Sequence, residues 1–99
     1  MVLEELRRGA VHLHILHHAA EGEIHGAWMA DELARHGHRI SPGTLYPALH
    51  RMEEAGMLTS SRRVFDGKMR RFYRATAKGR RELVVARGVL AELVDEVLG

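Results

Sequence analysis

The sequence contains no cysteine and no long apolar run, and these absences exclude cysteine chemistry and a membrane-spanning segment. Without cysteine there is no disulfide, no thiolate metal site and no cysteine nucleophile. The longest uncharged stretch, residues 9–20, carries four histidines and is too short and too polar to span a bilayer. Residues 1–8 mix acidic and basic side chains and lack the apolar core of a signal peptide. We therefore expect a cytoplasmic protein without a membrane partner.

Composition and missing motifs also argue against catalysis. Of the 99 residues, 45% are hydrophobic and 28% are charged, an ordinary balance for one globular domain. There is no strand-turn-helix context around a serine, no glycine-rich phosphate loop and no pair of acids at a useful spacing. We do not expect an enzyme, and no cofactor is required.

Charge is distributed unevenly along the chain, although the net charge is only +2. From Arg62 to Arg81, nine basic residues accompany a single acid, Asp66, which gives a local charge of +8. The rest of the chain holds six basic and twelve acidic side chains. A local basic stretch is what a phosphate-binding surface needs. A solvated charged face is the alternative interpretation.

The first helix is predicted over residues 3–20, and it is apolar on two faces. The face that we expect to enter the domain's own core carries Leu6, Ala10, Leu13, Leu16 and Ala20. Val11 and Ile15 lie on the opposite side. Because a second apolar face needs a second covering element, we expect it to contact another helix or another chain.

Two short helices follow and have the dimensions of a helix-turn-helix. The first covers residues 27–35. The second begins at Ser41-Pro42, where serine as N-cap and proline at the first helical position are a strong start signal. Pro47 bends this helix if it begins at Ser41, but costs little if the regular part begins nearer Thr44.

A β-hairpin and a long helix complete the chain. Residues 57–65 and 69–75 are predicted strands around Asp66-Gly67, a strong signal for a two-residue hairpin. The last helix is predicted over residues 77–98, with apolar side chains spaced three and four apart. It is longer than the domain core needs, so we expect it to pack on the first helix of a second chain.

This order of elements predicts a mainly α fold with a small β-hairpin. Residues 1–75 would form a winged helix-turn-helix domain and residues 76–99 a C-terminal dimerisation helix. In such a domain the third helix enters the major groove of DNA and the hairpin is a wing that reaches phosphates or the minor groove. The basic stretch falls on and beside the wing, which favours a phosphate-binding surface over a solvated face.

Several spaced motifs occur in one order along the chain. The longest is Ser41-Pro42-Gly43-Thr44-Leu45-Tyr46-Pro47-Ala48-Leu49, followed by Arg51-Met52-Glu53 and Gly56-Met57-Leu58. Shorter ones are His25-Gly26, Arg71-Phe72-Tyr73, and Thr76 with Gly79. Together they resemble the PadR-type transcriptional regulators, in particular the smaller members with a single C-terminal helix. The resemblance implies a dimeric DNA-binding repressor under the control of an effector. We expect a homodimer that binds a palindromic operator in double-stranded DNA, with a small molecule or a metal ion as the effector.

The resemblance also implies where DNA contacts lie. Ser41, Thr44 and Tyr46 would open the recognition helix with hydroxyls that reach phosphate oxygens, core packing being the alternative for Tyr46. The sequence leaves open whether His50 and Arg51 face DNA or their own domain. The wing residues expected to contact the DNA backbone are Arg62, Arg63, Lys68, Arg70 and Arg71. The dimer interface expected between the first and last helices comprises Val11, Ile15, Leu83, Ala86, Leu90, Leu93 and Val97.

Histidine is unusually frequent, with eight copies. His14 and His18 are four residues apart on the first helix, and Glu21 lies three further on. Two imidazoles and a carboxylate at this spacing form a candidate site for zinc or a similar divalent ion. The alternatives are stacking, capping or carboxylate pairing, a pH-sensitive interface, and, for His17, a place in the core.

Two further hypotheses remain open from the sequence. Trp28, the only tryptophan, is a candidate for lining an effector pocket, with ordinary packing as the alternative. The chain as a whole is alternatively a metal-sensing regulator that acts through the histidines, or a winged-helix protein-interaction adaptor that has lost DNA binding. The intact basic wing argues against the adaptor.

Overall fold

The computed structural model describes all 99 residues and contains four helices and three strands. The elements are α1 (Val2–Glu21), β1 (Ile24–His25), α2 (Gly26–Arg35), α3 (Pro42–Glu54), β2 (Leu58–Phe65), β3 (Lys68–Ala75) and α4 (Ala77–Leu98). The predicted order of three helices, a hairpin and a long helix is confirmed. None of the helices has the length and apolar character needed to cross a membrane.

The sheet has one strand more than the sequence predicts. Its order is β1-β3-β2 and both pairings are antiparallel, with Ile24 opposite Tyr73 and His25 opposite Phe72. The added strand, β1, consists of only two residues, which is too short for an alternating pattern to reveal it. Its pairing with β3 connects the segment after α1 to the base of the hairpin.

The hairpin closes as predicted at Asp66-Gly67. Phe65 pairs with Lys68 across the turn, and Asp66 and Gly67 have φ values of 52° and 73°. Two central residues with positive φ match the hairpin turn that follows the natural twist of paired strands. The turn therefore fixes the register of β2 and β3, and with it the face on which each wing side chain lies.

The core lies between the three helices of the helix-turn-helix and the base of the sheet. Its largest fully buried side chains are Ile15, Met29, Leu33, Leu45, Leu49 and Leu58. α3 contributes Leu45, Ala48 and Leu49 to this core, which leaves its opposite side in solvent. Packing thus determines which face of α3 is presented outward.

The residues at their N-terminal ends determine where α3 and α4 begin. α3 begins at Pro42 with Ser41 as N-cap, so Pro47 lies inside the helix and removes the hydrogen bond that its N–H would otherwise donate. Thr76 is the N-cap of α4 and accepts a hydrogen bond from the Gly79 N–H at 3.0 Å. Gly79 also has no room for a side chain, since a Cβ there would lie 3.0 Å from the carbonyl carbon of Met57. This close approach holds the start of α4 against Met57, at the base of the wing.

Candidate nucleic-acid interface

The outer face of α3 presents polar side chains at its N-terminal end. Ser41, Thr44 and Tyr46 are all exposed, Tyr46 by 50%. The Ser41 hydroxyl lies 3.2 Å from the Thr44 hydroxyl and does not cap the helix. These hydroxyl groups are therefore available to an external acceptor, and Tyr46 is not a core residue.

In the C-terminal half of α3, the neighbouring residues His50 and Arg51 lie in different surroundings. His50 is exposed and its Nε2 lies 3.4 Å from the Glu54 carboxylate, one turn further on. Arg51 is also exposed, but its charge acts on His12 of α1 and, after burial, is the main cause of that histidine's lowered pKa. Arg51 thus lies on the side of α3 that is near α1, whereas His50 contacts Glu54 of the same helix.

One face of the wing continues the surface of α3. Arg62 and Arg71 are directly opposite in the ladder, so their side chains share a face. Arg71 donates a hydrogen bond to Ser60 at 3.0 Å, and Ser60 donates to Glu53 of α3 at 2.7 Å. This chain of contacts couples the wing to the recognition helix. Sequence reasoning named Glu53 only within a motif and did not name Ser60, because their contact depends on how the wing folds back onto α3.

Arg63, on the other face of the wing, is occupied within the domain. It donates to the Glu23 carboxylate at 2.6 Å and lies over the Phe72 ring, 3.6 Å from the ring centre. Arg74 binds the other oxygen of the same carboxylate. The hydrogen bond from Arg63 holds the pKa of Glu23 below its ordinary value. Arg63 therefore braces the wing, which differs from the free backbone contact expected from the sequence.

Arg70 and Lys68 occupy the free edge of β3. Arg70 is half-buried and makes no hydrogen bond or ion pair, and its Nε is shielded from solvent. Lys68 is exposed and also lacks an acidic partner. Two cations without internal partners, next to Arg71, make this edge strongly positive.

α1 and α4 form an apolar groove of about 780 Å³ on the side away from the core. From α1 it is lined by Leu6, Ala10 and Leu13, the face that was expected to enter the core. From α4 it is lined by Ala86, Leu90 and Leu93, as expected for an interface. Val97 lies beyond them and is 68% exposed.

Ile15, which was assigned to the interface, is 0% exposed and belongs to the core, so its assignment is corrected. Leu83 is 3% exposed and is a core residue that also lines the groove, and Val11 is partly buried and packs against the core. α1 is apolar around much of its circumference, so residue spacing alone did not show which arc the rest of the domain covers.

The histidines gather beside α2, but in a grouping that differs from the expected one. His17, His18 and Glu21 each place one ligand atom within 4.8 Å of the others. His14 instead stacks on His36, with ring centres 5.1 Å apart. Burial, followed by the charges of the neighbouring histidines, lowers its pKa. The side chains that lie close together are thus His17, His18 and Glu21, whereas the sequence grouped His14, His18 and Glu21. His17 is partly exposed and is not a core residue.

A buried carboxylate organises this cluster. Glu32 of α2 is 8% exposed, and its Oε2 lies 3.3 Å from the Nε2 of both His18 and His36. The sequence did not single out Glu32, although His36 follows it by one helical turn. Trp28 packs edge-on against His18 at 5.3 Å and lies outside the apolar groove. Trp28 is 43% exposed, so only one side of its ring system is packed.

Comparison with known proteins identifies the relatives of this chain. The model of the family described as "Transcriptional regulator PadR-like family" matches residues 15–85. Transcriptional regulator Rv3488 of Mycobacterium tuberculosis is 60% identical over 97 residues, which cover 98% of this chain and 91% of that protein. Both matches are to transcriptional regulators, which confirms the expectation that the chain is not an enzyme.

Solved structures show the same fold. A PadR family regulator from Eggerthella lenta superposes with a TM-score of 0.84 at 34% identity, covering 97% of this chain and 85% of that one. Bacillus subtilis PadR, solved in complex with operator DNA, superposes with a TM-score of 0.66 at 20% identity, covering 75% and 44%. With a family match over most of its length and a relative at 60% identity, this chain belongs to the PadR-like family of transcriptional regulators.

Proposed function

We propose that this regulator is a homodimeric, sequence-specific repressor that acts in the cytoplasm and binds a palindromic operator in double-stranded DNA. The observation that carries the proposal is the continuous surface formed by the exposed face of α3 and the basic wing. Hydroxyl groups at the start of α3 and unpaired cations on β3 suit phosphate oxygens. The operator complex of Bacillus subtilis PadR supports DNA as the partner.

The dimer rests on the apolar side chains that α1 and α4 leave uncovered. On α4, the exposed aliphatic residues that line the groove are Val85, Val89, Leu90 and Leu93, and Val97 lies one turn further on. On α1, the exposed aliphatic residues are Val2, Leu3 and Leu6. A contiguous apolar surface of this extent marks an interaction site. A second copy supplies a matching surface, and two-fold symmetry then sets two recognition helices on a palindrome.

Removal of two wing cations tests DNA binding. In Arg62→Ala/Arg71→Ala, affinity for every duplex should fall, and the slope of log K against log salt should decrease by about two units per monomer, one for each lost phosphate contact. The matched control is Arg80→Ala/Arg81→Ala, which removes the same charge from α4. Fluorescence anisotropy at several salt concentrations measures both. Equal slopes for the two variants would contradict the proposed wing contacts.

A divalent metal ion is the second candidate, as an effector rather than a required cofactor. The Nε2 of His17 and the Nδ1 of His18 each lie 3.6 Å from Glu21 Oε1. Ligand atoms around tetrahedral zinc are about 3.4 Å apart, given bonds of about 2.0–2.1 Å. The opposite nitrogen of His18 faces Glu32 at 3.3 Å, and a carboxylate behind a histidine ligand fixes its tautomer and raises its basicity.

One contact opposes metal binding at His17. Arg87 of α4 lies 3.0 Å from the Nδ1 of His17, and a guanidinium can only donate. The Nδ1 therefore accepts, and the proton of the neutral ring stays on Nε2, the atom that a metal would need. Metal binding requires Arg87 to move away, so a metal would alter how α4 sits against α1. This link supports control of the dimer by the metal.

Calorimetric titration of zinc distinguishes a site formed by His17, His18 and Glu21 from non-specific zinc binding by any histidine of the cluster. We expect His18→Ala to abolish saturable binding, His14→Ala to leave it unchanged, and Arg87→Ala to strengthen it. His14 is the matched control because it belongs to the same cluster but not to the ligand group. Equal losses in His14→Ala and His18→Ala, or an absence of heat with the wild type, would refute the metal site.

The small-molecule alternative places the effector at the apolar groove between α1 and α4. Its lining is mainly hydrophobic and its volume of about 780 Å³ falls within the range of ligand pockets. An apolar compound bound there would compete with, or add to, the packing of the second copy.

A further inference from the structure

The end of the wing carries two exposed aliphatic side chains, Val64 and Met69, which we call the tip pair. Val64 of β2 lies opposite Met69 of β3, and the two side chains are 65% and 57% exposed. Phe65, the next residue towards the turn, lies on the other face of the wing and packs on Phe72, with ring centres 5.7 Å apart. Because little of the tip pair is covered within the chain, its burial against a partner would be favourable.

The tip pair lies on the face of the wing that adjoins α3. Successive side chains of a strand point to opposite faces, so Val64 shares its face with Ser60. Ser60 donates a hydrogen bond to Glu53 of α3 at 2.7 Å. Met69 also lines a small cleft together with Tyr46, which is exposed on the outer side of α3. The tip pair therefore belongs to the surface that the proposed function assigns to DNA.

The tip pair lies far enough from α3 to reach a different groove of the duplex. Four residues separate Val64 from Ser60, which at about 3.4 Å per residue is about 14 Å along the strand. The major groove, which takes a recognition helix, is about 12 Å wide. Arg62 and Arg71, opposite each other midway along this distance, then lie beside the phosphates. The side chains of the tip pair meet the minor groove beyond them.

Aliphatic side chains can discriminate between base pairs in the minor groove. Every base pair presents acceptors there, and a G·C pair adds the 2-amino group of guanine as a donor. Methyl groups cannot accept a hydrogen bond, so covering this amino group removes its water and leaves the donor unpaired. Contacts to phosphates carry no sequence information directly. The cations of the wing therefore cannot supply the preference that the tip pair supplies.

We propose that Val64 and Met69 are specificity-determining residues, which contact the floor of the minor groove beside each half-site and select A·T pairs there by excluding the guanine amino group. The inference rests on the proposed DNA-binding function and adds a base preference outside the segment that α3 reads. The cations of the wing hold the tip against the DNA backbone, and the tip pair provides the discrimination.

Base analogues that change the minor groove test this role. In a duplex that the wild type selects from a random pool, 2,6-diaminopurine replaces adenine at one flanking position at a time. This adds the amino group but keeps the major-groove edge of adenine. At the position that the tip pair contacts, Kd should rise about tenfold, the effect of one donor left unpaired. A G·C pair there should also weaken binding, and inosine in place of that guanine should restore it.

A double variant assigns the effect to the tip pair. Val64→Thr/Met69→Gln supplies oxygen acceptors at nearly unchanged size and charge, so diaminopurine should change its Kd by less than about threefold. Its slope of log K against log salt should equal that of the wild type, because no phosphate contact is lost. The matched control is Val84→Thr on α4, a valine that is 68% exposed, which should discriminate as the wild type does. Fluorescence anisotropy measures each Kd, and circular dichroism verifies that each variant is folded.

The outcomes separate the tip pair from the DNA-binding proposal. If the wild type binds and diaminopurine at no flanking position weakens it, the tip pair does not read the minor groove, but the repressor proposal stands. If the double variant discriminates as strongly as the wild type, the amino group acts through the shape of the duplex, and the role of Val64 and Met69 is refuted. If the wild type binds no duplex at low salt, the DNA-binding proposal fails and this inference with it.

Discussion

Replacing Leu90 and Leu93 by alanine should dissociate the proposed dimer without unfolding the domain. Each side chain is 43% exposed in the single chain. Complete burial of a leucine contributes about 1.5–3 kcal/mol, so covering the exposed part contributes about 1 kcal/mol per side chain. The symmetric dimer has four such side chains, and alanine retains a little of their surface. We therefore expect a loss of about 3 kcal/mol, which raises the dimer Kd roughly a hundredfold.

Sedimentation equilibrium over a range of concentrations measures this change. The matched control is Val84→Ala/Leu98→Ala, since both side chains are exposed by at least 68% and lie outside the groove. The control should change the dimer Kd much less. The reasoning is refuted if both double variants weaken the dimer equally, or if the wild type is a monomer at every concentration.

Three further substitutions test the packing and charges of the fold. Gly79→Ala should lower the thermal midpoint, since overpacking at this contact costs about 1–3 kcal/mol, whereas Gly88→Ala on the same helix, with open space around it, should raise it slightly. The Arg63 hydrogen bond lowers the pKa of Glu23, so its stabilisation is complete above the ordinary carboxyl pKa and is lost as the pH falls through the lowered one. The difference in midpoint between the wild type and Glu23→Gln should therefore shrink from about pH 6 towards about pH 3. Burial lowers the pKa of His12, so the folded chain binds fewer protons there than the unfolded chain. The fall in midpoint from about pH 7 to about pH 5 should then be smaller in His12→Leu.

The parts of the fold that were predictable carry strong local signals. Asp66-Gly67 specifies its own turn, and Ser41-Pro42 marks the start of α3 through the conformations that these residues favour. Thr76 caps α4 for the same kind of local reason. The order of these signals was enough to identify a winged helix-turn-helix.

The remainder depends on contacts between distant segments. β1 exists only because Ile24 and His25 find partners on β3. Glu23 holds Arg63 of the wing only once that strand is in place, so the basic stretch alone did not separate the bracing arginine from the unpaired Arg70. In the same way, spacing on α1 identified apolar faces and histidine pairs, but not which of them faces α2, α4 or the core.

Selection of bound duplexes from a random pool tests the central claim most directly. A two-fold symmetric regulator should enrich one sequence that contains two inverted half-sites, with centres about 10 base pairs or a multiple of that distance apart. Its affinity for that sequence should exceed its affinity for a scrambled duplex and should fall steeply with salt. Recovery of no common sequence, together with no salt-dependent binding to the pool, would contradict the account.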